Sequence, residues 1–219
     1  MMKLSLKYAI ILLLSVGNLS PILGQETKSD EDSEWISLFN GKDLEGWKVG
    51  VNASTFSVED GTIKVAGERA HLFYAGDVEN HNFKNFEFKA RVMTKPGANS
   101  GIYIHTKYQE DGWPTYGYEV QVNNTQGDWK RTGSLYGIVD IKENYIKDNE
   151  WYTEYVKVEG KRIIIKINEI VVVDYTEPEN PLREGEGIHR VLSVGTFALQ
   201  GHDPGSVVYY KDIMVRPLP

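Results

Sequence analysis

The chain contains no cysteine, which excludes disulfides, thiolate metal sites, a cysteine nucleophile and a lipidated N-terminal cysteine. Positive charge is also short, with 24 Lys and Arg against 31 Asp and Glu and a net charge of −7. Nucleic-acid binding rests on neutralising phosphates with Lys and Arg, so that class of partner is not expected. No tract keeps a long apolar period of 3.6, and little helix is expected. The five His are scattered without an H-x-x-x-H pair, and no Asp-rich loop has calcium-site spacing, so neither a metal at the site nor a cofactor is expected, a structural metal being left open. Ser100 and Ser134 lack the G-x-S-x-G context of a nucleophile elbow.

What is present is ordinary core-forming material, 219 residues of which 41% are hydrophobic. Residues 1–24 have the layout of a signal peptide: Lys3 and Lys7, an apolar run from Tyr8 to Val16, then Pro21 and Gly24. The run is too short to span a bilayer, so a cleaved leader and a periplasmic or secreted mature chain without membrane insertion are expected. Residues 25–34, rich in Asp and Glu and poor in large apolar side chains, should be a flexible tether. Residues 35–219 then form one domain, with oligomeric state left open.

That domain reads as strand after strand. Phe86, Phe88, Ala90 and Val92 alternate with Glu87, Lys89 and Arg91, the period-2 signature of a half-buried strand. Phe56–Val58 and Ile63–Val65 flank Asp60-Gly61, and Ile163–Ile167 and Ile170–Val173 flank Asn168-Glu169, both hairpin patterns. Further strands are expected at 151–158, 191–200 and 207–215. Ten to twelve strands with frequent turns suit an all-β sandwich of two antiparallel sheets.

The stretch Asn99–Asn123 carries the candidate site. Side chains alternate along a strand, so Ile102 and Ile104 share one face and Tyr103 and His105 the other. The next strand divides likewise, Val120 and Val122 against Glu119, Gln121 and Asn123. With the apolar faces inward, Tyr103, His105, Glu119, Gln121 and Asn123 make a polar patch outside the core. In 196–202, Thr196, Ala198, Gln200 and His202 lie opposite Phe197 and Leu199, and Gln200 and His202 extend that patch. Trp113 and Trp129 flank the Glu119 strand, where indoles could stack on sugar rings. Lys130, Arg131 and Tyr136 surround the Thr132-Gly133 turn and could hold a sugar hydroxyl or a charged aglycone. His71, in Ala70–Tyr74, is a further candidate.

Five segments occur in order: LFNGKDLEGW, NSGIYIHT, GYEVQV, TGSLYG and FALQGHDPGSVVYYKDIMVRPL. Together they resemble the 3-keto-disaccharide hydrolase domain family, across roughly Trp35 to Leu218. The resemblance implies a concanavalin A-like or laminarinase-like jelly roll. Retaining glucanases of that fold place paired carboxylates on one strand, whereas Glu119-Val-Gln121-Val-Asn123 offers one. The family instead implies cleavage of glycosides oxidised at C3, whose ketone acidifies the C2 proton and lets one base start an elimination. On that reading Glu119 or His105 is the base, the other or His202 the acid, and Gln121 or Tyr103 the donor to the enolate. The family typically has Leu-Gln-x-His where Leu199–His202 stands, and many relatives carry Arg at the position of His105. A non-catalytic carbohydrate-binding domain using the same face is the alternative.

Overall fold

A computed structural model describes residues 34–219, so the expected leader and all of the tether but Glu34 lie outside the described residues. Thirteen strands run in this order: β1 (Ile36–Ser37), β2 (Trp47–Val49), β3 (Phe56–Glu59), β4 (Thr62–Ala66), β5 (Ala70–Tyr74), β6 (Asn85–Thr94), β7 (Asn99–Thr106), β8 (Tyr118–Asn123), β9 (Tyr152–Glu159), β10 (Arg162–Ile167), β11 (Ile170–Thr176), β12 (Thr196–Gly201) and β13 (Val207–Leu218). The only described helix is a few short 3-10 turns. The strands form two antiparallel sheets, ordered β11-β10-β9-β6-β13-β4-β3, with β1 added beside β13, and β2-β5-β12-β7-β8. This is the jelly-roll sandwich that the alternating strands imply.

Between the sheets lies one apolar core. The five-stranded sheet contributes Leu72, Ile102, Ile104, Val120, Val122, Phe197 and Leu199, all fully buried. The inward residues of β6, β9, β10 and β13 meet them, Phe86, Phe88, Val156, Ile165 and Val215 among them. The turns obey local chemistry. Asp60 and Gly61 both take positive φ, +49° and +72°, as a two-residue hairpin turn with right-handed strand twist requires. At the other hairpin Asn168 alone enters the left-handed region, at +53°, and the β10–β11 pairing shifts register between Ile165 and Lys166. The strand expected at 191–200 begins only at Thr196. Upstream backbone is drawn elsewhere, the Leu192 amide to Glu177 and the Ser193 amide to His105.

Strand parity holds along β7 until His105, where it fails. Ala198 of β12 pairs with Tyr103 but Thr196 pairs with Thr106, so β7 carries one extra residue. Such a bulge turns the following side chain to the other face. His105 takes φ +53°, and its ring packs edge-on against core Phe86 at 5.5 Å. Glycines make room for the bulge: a Cβ on Gly117 would sit 2.0 Å from the Ile104 carbonyl, and one on Gly195 2.4 Å from that of Thr106. The expectation that His105 shares a face with Glu119 is therefore corrected. Its Nε2 donates to the Lys84 carbonyl at 2.9 Å, and Nδ1 accepts from the Ser193 amide at 3.2 Å.

This assignment leaves no place for a second ring proton, and burial lowers the His105 pKa to about 4. A histidine held neutral in the fold but free to protonate when unfolded destabilises the fold as pH drops below about 6.5, down to the folded value. Between pH 7 and 4 the His105 contribution should cost up to about 3 kcal/mol. Chemical denaturation of the wild type and of His105→Gln at both pH values checks this. The variant should lose less stability on acidification, and equal losses would show that His105 does not contribute.

Candidate active site

The outer face of the five-stranded sheet carries a cavity of about 190 Å3 lined by Asn99, Tyr103, Trp113, Glu119, Gln121, Asp128, Tyr136, Arg190, Gln200 and His202. Register puts these residues in place. Tyr103 stands opposite Glu119 and Gly101 opposite Gln121 on the β7–β8 pair, while β12 flanks β7 on its other side and brings in Gln200. Glu119 lies on the floor. Tyr103 Oη donates to its Oε2 at 3.0 Å, and Gln200 Nε2 donates to Oε1 at 2.8 Å and to Tyr103 Oη at 3.1 Å. Burial raises the Glu119 pKa against the opposing pull of those two donors and of Arg190. The result is a fixed carboxylate with a strengthened affinity for a proton, as a general base needs. Burial also pushes the Tyr103 hydroxyl well above its usual range, so it remains a donor.

Glu119 fits only because residue 101 is glycine. A Cβ there would come within 2.5 Å of the Glu119 Oε1 and 2.9 Å of its Cγ. Gly101→Ala should therefore displace the carboxylate from Tyr103 and Gln200. Misplacement of a reacting group by about 1 Å costs on the order of 100-fold in rate. For a Glu119 that acts on substrate, a loss of that order in kcat/KM with an unchanged circular dichroism spectrum is expected, and an unaltered rate would show that the position of Glu119 is not critical.

The third wall comes from TGSLYG, which runs beside the free edge of β8. Thr132 and Gly133 amides donate to the carbonyls of Asn123 and Gln121, Tyr136 to that of Glu119, and Gln121 to that of Ser134. This ribbon carries Tyr136 to the cavity. Tyr136 Oη reaches Asp128 Oδ2 at 3.5 Å, while the Lys130 amide donates to Asp128 Oδ1 at 3.1 Å. Arg190 arrives from the β11–β12 segment. Its carbonyl accepts from Arg183 Nε at 2.9 Å, and Arg183 also donates to Tyr118 and Tyr175 hydroxyls at 3.1 and 3.0 Å. Trp113 closes another side, its ring 5.3 Å from that of His202 and 5.7 Å from that of His71. His202 Nδ1 contacts Asp203 Oδ2 at 2.6 Å, which fixes the ring.

Of the residues expected from sequence, Glu119, His202, Tyr103, Gln121, Gln200, Trp113 and Tyr136 line one cavity, and the others do not. His105 is turned into the core side by the bulge. Asn123 occupies the expected face but organises the loop after β8: its Nδ2 donates to the Asp128 and Lys130 carbonyls, and its Oδ1 accepts from the Gln126 amide and Arg131. Arg131 is spent on the same loop, with Nη1 on the Gln126 and Asp128 carbonyls at 2.8 and 2.7 Å. Lys130 sits over the Tyr136 ring at 3.8 Å, outside the lining. Trp129, half exposed, stands between Lys130 and Lys142 rather than over the cavity. His71 is buried, edge-on to Tyr103 and Trp113. Burial, helped by Arg69, lowers its pKa to about 3, so it is a neutral prop. Asn99, Asp128 and Arg190 were missed. Parity with Tyr103 could have placed Asn99, whereas nothing local marks the two loop residues.

The cavity combines a buried carboxylate, amides, hydroxyls and a side-wall indole, the donor and acceptor mixture of a carbohydrate site on a jelly roll. The chain belongs to the 3-keto-alpha-glucoside-1,2-lyase-like domain family, which it matches over residues 34–216, and its role is carbohydrate-related. Among solved structures it resembles a Parabacteroides distasonis protein provisionally named a glycosyl hydrolase, with 22% identity, 88% of this chain and 98% of that one covered, and a TM-score of 0.70. It also resembles the Bacillus subtilis carbohydrate-binding module CBM66, at 15% identity, 78% and 95% coverage and a TM-score of 0.55. A Bacillus subtilis protein of unknown function with a galectin-like fold aligns at 11% identity, 84% and 94% coverage and a TM-score of 0.57. No curated protein matches the chain significantly.

Proposed function

We propose that the protein cleaves 3-keto-glycosides, with Glu119 as the base that removes the proton from C2. The observation that carries this reading is the buried Glu119 carboxylate, held by Tyr103 and Gln200 at the floor of a cavity that Arg190 also lines. Removal of the C2 proton leaves its electron pair on an enolate with C2=C3 double-bond character and negative charge on the C3 oxygen. The Arg190 guanidinium and the Gln121 amide supply positive charge and a donor for that oxygen. Collapse of the enolate restores the C3 ketone, forms a C1=C2 double bond and breaks the bond from C1 to the aglycone oxygen, which takes a proton. His202, oriented by Asp203, gives that proton. Addition of water at C1 and of a proton at C2 completes net hydrolysis. The unpartnered buried amide oxygens of Gln121 and Gln200 await hydroxyl donors, which a sugar has in quantity. Export by a cleaved leader, as expected from residues 1–24, would place this activity in the periplasm or outside the cell.

Asp128 supports a second reading, since it gives the cavity two carboxylates and so the minimum equipment for ordinary glycoside hydrolysis. A carbohydrate-binding domain without turnover is the third. One assay separates them: 4-nitrophenyl 3-keto-glucosides of both anomeric configurations are incubated with the protein beside the unoxidised glucosides. Release of nitrophenol from a keto substrate alone is expected. Release from an unoxidised glucoside, suppressed by Asp128→Asn, would favour the two-carboxylate route, and no release with saturable binding would favour the binding domain.

A further inference from the structure

The same outer face holds a second and larger cavity, about 310 Å3, bounded by β2, β5, β12 and the loop after β7. An apolar row joins it to the Glu119 site. Phe73, Ala198 and Tyr103 form a small buried cluster apart from the main core, with Ala198 opposite Phe73 on one side and Tyr103 on the other. Tyr103 holds Glu119 at one end of this row and Phe73 lines the second cavity at the other. A group attached to C1 of a sugar seated over Glu119 can extend along it.

The walls differ in kind from those of the first cavity. Tyr108 stands edge-on to Phe73 at 5.4 Å, and Lys48 Nζ lies 3.6 Å from the centre of the Tyr108 ring. Lys107 is the second cation, its Nζ 4.2 Å from the ring of Tyr116. No carboxylate lines this cavity. Among the described residues neither lysine has an ion-pair partner, the nearby Glu110 being hydrogen-bonded by the Tyr108 hydroxyl. Thr106, 1% exposed, lines the cavity with a hydroxyl that has no hydrogen-bond partner among the described residues. The first cavity offers the hydroxyls of a sugar two carboxylates, Glu119 and Asp128, whereas the acceptors here are uncharged oxygens such as those of Asn82 and Thr196. Two aromatic walls, two cations and a spare hydroxyl suit a flat apolar ring with an anionic end.

We infer that this second cavity is the leaving-group subsite and that it takes aromatic aglycones bearing a carboxylate. The inference rests on the function proposed above and specifies its substrates. It also fits the chemistry of expulsion, because a phenol ionises at about pH 10, so its departure asks less of the acid than departure of an alcohol.

The test pairs 4-carboxyphenyl with 4-carbamoylphenyl 3-keto-glucosides, nearly equal in shape and different in charge. The wild type should show a KM about tenfold lower for the carboxylate, a difference of about 1.4 kcal/mol. In Lys48→Ala and Lys107→Ala the ratio of the two KM values should fall toward one. Equal KM values in the wild type, or a ratio untouched by both substitutions, would overturn the subsite. Cleavage of neither probe would reject the proposed function instead, and a titration then decides the cavity. Free 4-hydroxybenzoate, followed by amide NMR shifts, should perturb Thr106 and Tyr108 in the wild type and not in Lys48→Ala. Absence of those shifts would end the assignment.

Discussion

Glu119→Gln should lower kcat/KM for a 3-keto-glucoside by about 1000-fold or more while leaving the fold intact, since a positioned base contributes about 100- to 10,000-fold. The substitution keeps the shape of a side chain that is packed beneath the cavity and only 9% exposed. It removes a charge that burial disfavours, so thermal stability should hold or rise. The Tyr103 hydroxyl can still donate to the new amide oxygen, although the amide nitrogen then faces Gln200 Nε2 in the place of Oε1. Local rearrangement is therefore confined to Gln200. Michaelis–Menten kinetics beside thermal denaturation gives both readouts. A variant with wild-type kinetics would remove Glu119 from the chemistry, and one that unfolds would mean that its role is structural.

The largest effect on stability is expected at Phe197. This ring is fully buried and touches three others, Phe83 at 4.6 Å, Phe86 at 4.9 Å and Phe88 at 4.7 Å between centroids. Phe86 and Phe88 belong to the larger sheet and Phe197 to the smaller, so this cluster is where the sheets are clamped together. It also adjoins the bulge that turns His105 inward, through Phe86. Phe197→Ala should cost about 3–5 kcal/mol, a large share of the 5–15 kcal/mol by which a domain is typically stable. Urea unfolding should show the midpoint falling steeply. A loss below about 1 kcal/mol would mean that the sandwich closes over the vacated space and that the aromatic cluster is not the clamp.

What was legible in the sequence follows from how far each determinant reaches along the chain. The alternation of Ile102 with Tyr103 and of Val120 with Glu119 is local, and it correctly placed an apolar interior behind a polar outer face. The same rule misplaced His105, because the extra residue on β7 is defined only by pairing with β12, about ninety residues later, and by the space two distant glycines leave. Asn123 and Arg131 were given the right neighbourhood and the wrong occupation. Their side chains satisfy backbone groups of a tight loop, and composition does not distinguish that need from ligand binding. Asp128 and Arg190 were invisible for a related reason. Asp128 sits in an irregular loop and Arg190 in a long connection fastened by Arg183, Tyr118 and Tyr175, contacts with no periodicity to announce them. Arg190 makes the site more than a carboxylate among amides, since it adds a cation to the lining.

In the proposed mechanism cleavage begins with transfer of the C2 proton to Glu119. It is tested most directly by single-turnover cleavage of a 4-nitrophenyl 3-keto-glucoside carrying deuterium at C2, compared with the protiated substrate. Proton abstraction by Glu119 predicts that the deuterated compound releases nitrophenol more slowly in the chemical step. Equal rates in that step would show that the bond from C2 to hydrogen stays intact when the glycoside breaks, and would contradict the mechanism.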